Sequence, residues 1–189
     1  MRSFLRQDPN IILVGEVRDL ETAKMVSQAA LTGHLVMTTM HTNNAIQAVT
    51  RLIEIGVEPF LLAPALIGVI AQRLVRRICP DCREEIPMPK AAVEHFFGDV
   101  GNRTVTMWQG RGCEACRKTG YTGRLAIHEA FMLTEGVRHL IAERASVLDL
   151  QNLAQDHGYR PMVYDGLKKV LRGLTTLAEV ERVTSLPEE

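Results

Sequence analysis

Long uninterrupted apolar runs are what this sequence most plainly lacks. The longest, Phe60 to Ala71, is cut by Pro64 and Gly68 and falls short of the roughly 20 residues that span a bilayer as a helix. No transmembrane helix is therefore predicted. Nor does the stretch Met1-Arg2-Ser3-Phe4-Leu5-Arg6-Gln7-Asp8 hold the apolar segment of a secretory signal, and the expectation is a cytoplasmic chain. A surplus of either charge is missing too: Lys plus Arg and Asp plus Glu both count 22 in 189 residues. No global field then draws the chain to nucleic acid. Internal repeats and low-complexity segments are absent. So is any glycine followed by lysine, and with it the Gly-Lys-Ser/Thr loop whose backbone N–H groups cradle nucleotide phosphates.

What remains is the composition of an ordinary globular protein, 46% hydrophobic and 23% charged, long enough for one domain or two unequal ones. Ile11-Ile12-Leu13-Val14, bounded by Asn10 and Gly15, reads as a central parallel strand buried on both faces. Asp19 caps a helix in which Ala23, Val26 and Ala30 recur at helical spacing and which Gly33 ends. Leu35 to Met40 reads as a second strand, completing a βαβ unit. Asn44 and Gln47 open a further helix that Gly56 stops. The apolar stretch from Pro59 to Ile78 reads as a mostly buried helix whose basic end, Arg73, Arg76 and Arg77, is favoured by the helix dipole.

From Cys79 the composition changes to proline and glycine around two cysteine pairs, with helical spacing only over Ala91 to Phe97. Trp108 is expected to pack within this segment. Leu125 to Leu133 reads as a strand. Ser146 with Asp149 and Thr176 with Glu179 start helices, and Gly158 and Gly173 stop them.

Two features point to chemistry. Glu16 stands at the C-terminal end of the first strand, the edge of open α/β sheets where ligands bind. A carboxylate there can orient a water or hold magnesium, although an acid that ends a strand simply to meet solvent fits as well. Cys79-Pro80-Asp81-Cys82 and Cys113-Glu114-Ala115-Cys116 offer four thiolates at the spacing of two zinc knuckles. Four sulfur ligands leave no open position, so the expected zinc is structural.

Gly15-Glu16-Val17-Arg18-Asp19, Thr32-Gly33-His34-Leu35 and Thr38-Thr39-Met40-His41-Thr42 together resemble the Walker B and histidine boxes of the type II secretion and type IV pilus ATPase family. The resemblance continues through Ala71-Gln72-Arg73-Leu74-Val75-Arg76, the cysteine pairs and Gly120-Tyr121-x-Gly123-Arg124, in one register over nearly the whole chain. It implies an α/β fold: a partial RecA-like P-loop ATPase core over residues 1–78, a tetracysteine zinc subdomain over 79–124, and a mainly helical tail over 125–189.

It also implies a homo-hexameric motor that hydrolyses ATP with magnesium. Such a motor drives pseudopilus or pilus assembly against inner-membrane platform proteins, from the cytoplasmic side and without direct contact to nucleic acid. By the same resemblance Glu16 is the Walker B glutamate and His41 senses the γ-phosphate, with Gly15, Arg18 and His34 as supports of the nucleotide site. On the residues alone, His34 and His41 are better read as satisfied core histidines, and Asp19 is just as well read as a helix cap. The cysteine pairs tilt the resemblance away from the retraction motors. Because the phosphate loop is missing, the chain by itself is expected to be inactive. The competing reading is a non-enzymatic zinc-ribbon adaptor for a protein or nucleic acid, with Arg117, Lys118 and Arg124 beside the cysteines.

Overall fold

The structure is a computed structural model that describes residues 9–99 and 104–184; the Met1–Asp8 stretch considered above lies outside them. The chain forms two compact units. One comprises the residues up to Ala71 together with Glu129–Arg160, the other Gln72–His128 together with the residues from Pro161 onward.

In the first unit β1 (Ile11–Val14) and β2 (Leu35–Thr38) pair in parallel, with Ile11 opposite Leu35 and Val14 opposite Thr38. Between them runs α1 (Leu20–Leu31), capped as expected by Asp19, whose carboxylate accepts the Thr22 N–H at 2.8 Å. Ile12 and Val14 bury against Ala29 and Val26 of this helix. The other face differs from the sequence expectation: Ile11 and Leu13 are 59% and 75% exposed. A continuous apolar run suits a strand covered on both sides, and the described residues supply a layer for one side only.

α2 (Ala45–Ile55) begins at Asn44, whose side chain accepts the Gln47 N–H, and ends at Gly56 in the left-handed region. The stretch read as one helix from Pro59 to Ile78 is instead two elements, α3 (Pro59–Ala65) and the strand β3 (Gly68–Ile78). Pro64 lies inside α3 next to its last residue, and the backbone turns extended at Leu66, two residues before Gly68 opens β3. Beyond them Val69, Ile70, Val75 and Ile78 carry the β-branched content of a strand, and β6 (Tyr121–Met132) supplies the pairing. A side chain at Gly68 would meet the Phe131 carbonyl at 3.2 Å, so the bare glycine lets the two strands approach. The basic cluster Arg73, Arg76 and Arg77 consequently lies on a strand, where no helix dipole acts on it. α5 (Glu135–Ala142) and α6 (Val147–Asp156) complete the unit, the latter with the capping box of Ser146 and Asp149. Val49, Val57, Leu62, Phe131, Val137 and Ile141 form the centre of its core.

In the second unit β4 (Arg83–Pro87) pairs antiparallel with β5 (Thr106–Gly110), and α4 (Lys90–Phe97) lies between them in sequence. α7 (Met162–Leu171) and α8 (Leu177–Thr184) follow. Val75, Ile127, Val170 and Val180 are wholly buried. Trp108 packs as expected, with the Arg83 guanidinium 4.5 Å from its ring centre. The most consequential polar group here is Glu179, 1% exposed. Its carboxylate accepts the Arg76 backbone N–H and is held by the guanidinium groups of Arg76 and Arg182, each at 2.8 Å. Arg76 also lies over the Tyr121 ring at 4.1 Å.

Candidate functional site

Parallel pairing brings the C-terminal ends of β1 and β2 side by side, and beyond the ladder two further bonds stitch them together. The Thr39 hydroxyl donates to the Gly15 carbonyl at 2.6 Å, and the Val17 N–H donates to the Thr39 carbonyl at 3.1 Å. Glu16 sits within this junction. One carboxylate oxygen lies 3.2 Å from His41 Nε2 and the other 2.6 Å from the Arg18 guanidinium. Arg18 foremost, with a smaller contribution from His41, holds the Glu16 carboxyl below its ordinary range. It is ionised at neutral pH, as a group that orients a water or a magnesium-bound water must be.

Glu16, His41, Gly15 and Arg18 therefore come together from two strand ends. His34 does not join them. It precedes β2, at the opposite edge of the sheet, and its Nδ1 lies 3.0 Å from the Ala29 carbonyl and 3.1 Å from the Thr32 hydroxyl. There it closes the turn from α1 into β2. Thr39 was not singled out from the sequence; the only signal was its place between the second strand and His41.

The second constellation is the four-cysteine cluster. Cys79 ends the run from β3 into a short 3-10 turn, Pro80–Cys82, and Cys113 and Cys116 lie between β5 and β6. Gly110 and Gly120 press together so closely that a Cβ on Gly110 would stand 2.0 Å from the Gly120 carbonyl oxygen. Only glycines permit this approach. All four sulfurs lie within 4.8 Å of one another. Cys79–Cys113 and Cys82–Cys116 are separated by 3.9 Å, and Cys113–Cys116 by 3.8 Å.

Disulfides need about 2.05 Å. A tetrahedral ion with metal–sulfur bonds of about 2.3 Å instead sets its sulfurs about 3.8 Å apart, which is the spacing of these three pairs. Backbone N–H groups of Gly112, Cys113 and Gly120 point at Cys82 and Cys116 sulfurs at 3.2–3.3 Å. Chiefly through the Cys113 N–H, these donors bring the Cys116 thiol down to about 6, while burial pushes Cys82 up to about 12. Were all four to ionise, thiolates in such a space would need a cation among them, and the donor set fits zinc.

A parallel sheet with its candidate chemistry at the carboxyl edge and a crossover helix behind it makes an α/β unit, and the solved structures it resembles are those of ATPases. The crystal structure of the pilus retraction motor PilT with bound ADP matches 98% of this chain and 43% of its own, with a TM-score of 0.67 and 28% identity. The ATPase DotB of Legionella pneumophila, at 22% identity and a TM-score of 0.65 over 97% of this chain and 41% of its own, shares the fold. The family model described as type II/IV secretion system protein matches residues 1–182, and the chain belongs to that family.

Curated relatives include the type IV pilus assembly ATPase PilB of Thermus thermophilus, 49% identical over 95% of this chain. The type II secretion system protein E of Aeromonas hydrophila is 49% identical over 97%. The chain spans 20% of the first relative's length and 36% of the second's. No helix among the described residues is long and apolar enough to cross a membrane.

Proposed function

We propose that this chain is the part of a secretion or pilus-assembly ATPase that bears the hydrolytic glutamate, joined to a structural zinc site. The observation that carries this reading is the meeting of Glu16 and His41 at 3.2 Å across two parallel strand ends, in a member of the type II/IV secretion system family. Glu16 orients the attacking water. His41 reports the γ-phosphate to it, and Arg18 fixes the second carboxylate oxygen, while the Gly15 carbonyl serves as the backbone tie. His34 supports the site indirectly, by holding the turn that launches β2.

ATP and magnesium bind with the help of a phosphate loop that this chain does not carry, in a homo-hexamer. The motor works against platform proteins at the cytoplasmic side of the inner membrane. Cys79, Cys82, Cys113 and Cys116 hold zinc, which supplies cross-linking and no chemistry, since four sulfurs close its coordination. Along the chain the hydrolytic groups precede residue 78, the cysteines lie within 79–124 and the tail follows, while the two compact units interleave these stretches.

The test compares this chain with the longer protein that includes the nearest upstream Gly-Lys-Ser/Thr loop. Only the longer form is expected to hydrolyse ATP, and Glu16→Gln should lower its turnover by about a hundredfold or more. An active Glu16→Gln protein, or an inactive longer form that retains its zinc, would overturn the reading. In the latter case DNA retention that weakens with salt would point to the adaptor alternative.

A further inference from the structure

Glu129 is one of two acids buried among the described residues, 5% exposed, and nothing assigned above to hydrolysis or metal uses it. A buried carboxylate is costly unless hydrogen bonds satisfy it. This one accepts the Ala45 backbone N–H at 2.6 Å and also bonds the Tyr159 hydroxyl. The Tyr159 ring rests edge-on against Phe131, 5.9 Å between centres. Burial first, and then the Glu129 charge, push the Tyr159 phenol above its ordinary range, so the hydroxyl stays a donor.

Ala45 is the first residue of α2, where a helix leaves N–H groups unsatisfied and presents positive potential. The helix's own cap, Asn44, is committed to the Gln47 N–H at 2.8 Å. Glu129, from 84 residues away in sequence, therefore fills a place that local sequence leaves open. Ala45 is also the rear end of the short segment that begins at Thr39, whose hydroxyl and carbonyl are fixed to Gly15 and Val17. His41 lies between these two anchors. A segment this short, held at both ends, has few conformations left to lose, and its imidazole is kept beside Glu16.

We infer that Glu129 is a positioning residue for His41: by bonding the Ala45 N–H it fixes the rear anchor of the 39–45 segment and hence the place where His41 meets Glu16. The inference rests on the reading of Glu16 and His41 as hydrolytic groups. Glu129 touches no reacting atom and acts only through that segment.

The test is steady-state ATP hydrolysis by the full-length protein. Glu129→Ala is expected to lower kcat about tenfold or more with KM for ATP within about twofold, because misplacement by about an ångström can cost about a hundredfold. Glu129→Gln, whose amide oxygen still accepts the Ala45 N–H, should hold kcat within about threefold. The decisive arm is a double-mutant cycle. In a protein already carrying His41→Ala, Glu129→Ala should lower kcat by less than about twofold, since both changes act on one interaction.

If Glu129→Ala cuts kcat by the same factor with and without His41, its role is merely structural and the inference is overturned. If that variant does not fold, Tyr159→Phe carries the same cycle, with a fall of about threefold expected that vanishes on the His41→Ala background. A wild-type protein without ATPase activity overturns the parent reading. Wild-type activity, an inactive Glu16→Gln and a fully active Glu129→Ala overturn this one alone.

Discussion

Replacing Glu179 by glutamine should loosen α8 from β3 in a way that depends on pH. Arg182 foremost, with Arg76, holds the Glu179 carboxyl at about 2 against the ordinary 4.5, despite the opposing effect of burial. That difference corresponds to about 3 kcal/mol. Both arginines are about half exposed and regain water when the partner is lost, which reduces the expected figure to about 2–3 kcal/mol.

A carboxyl depressed on folding contributes stability that is fully present above the unfolded pKa and is lost as pH falls through the folded value. The contribution should therefore be intact above pH 4.5, decline below it, and be nearly gone at about 2. Hydrogen exchange by mass spectrometry, normalised for intrinsic rates, reads this locally on peptides from β3 and α8. At pH 7, Glu179→Gln should speed exchange there by about 30- to 150-fold. By pH 4 the ratio between variant and wild type should narrow about fourfold. A ratio unchanged between pH 7 and pH 4, or one below about threefold at pH 7, would refute the assignment of Glu179 as the ionic clamp of this unit.

Two further outcomes follow from geometry. Cys82→Ser should reduce the zinc retained after dialysis from about one ion per chain to well below it, measured by atomic emission; full retention would count against the four-sulfur site. Gly166→Ala would put a Cβ 2.5 Å from the Val180 side chain. It should destabilise the α7–α8 contact by about 1–2 kcal/mol, the helix-propensity gain notwithstanding, and faster exchange in both helices checks it.

Where a signal is local, the sequence declares it. Asp19, Asn44 and the Ser146–Asp149 pair begin helices because each side chain reaches a backbone N–H within its own turn. The cysteine pairs were legible for the same reason, as each knuckle is a contact between near neighbours. β3 was misread because its apolar residues do not alternate cleanly, and what decides its conformation is β6, some fifty residues further on. Glu129 escaped notice for a related reason. It stands in alternation with the buried Ile127 and Phe131, an acid on the inward register of a strand. Its partner, the Ala45 N–H, belongs to a helix already supplied with a cap. The pairing of Glu16 with His41 was implied by the order of motifs, but the Thr39 bonds that stitch their strands together carry no pattern that spacing alone could reveal.

The spacing of the four sulfurs has a consequence for oxidation. Three of their pairs, at 3.8–3.9 Å, stand less than 2 Å beyond covalent reach, and the Cys113 N–H foremost lowers the Cys116 thiol to about 6. A bound ion that engages every sulfur keeps them all from attack. A chain that has lost its metal presents a nucleophilic thiolate surrounded by three partners, so exposure to peroxide after chelation should lock the cluster into disulfides that zinc cannot reopen without a reductant.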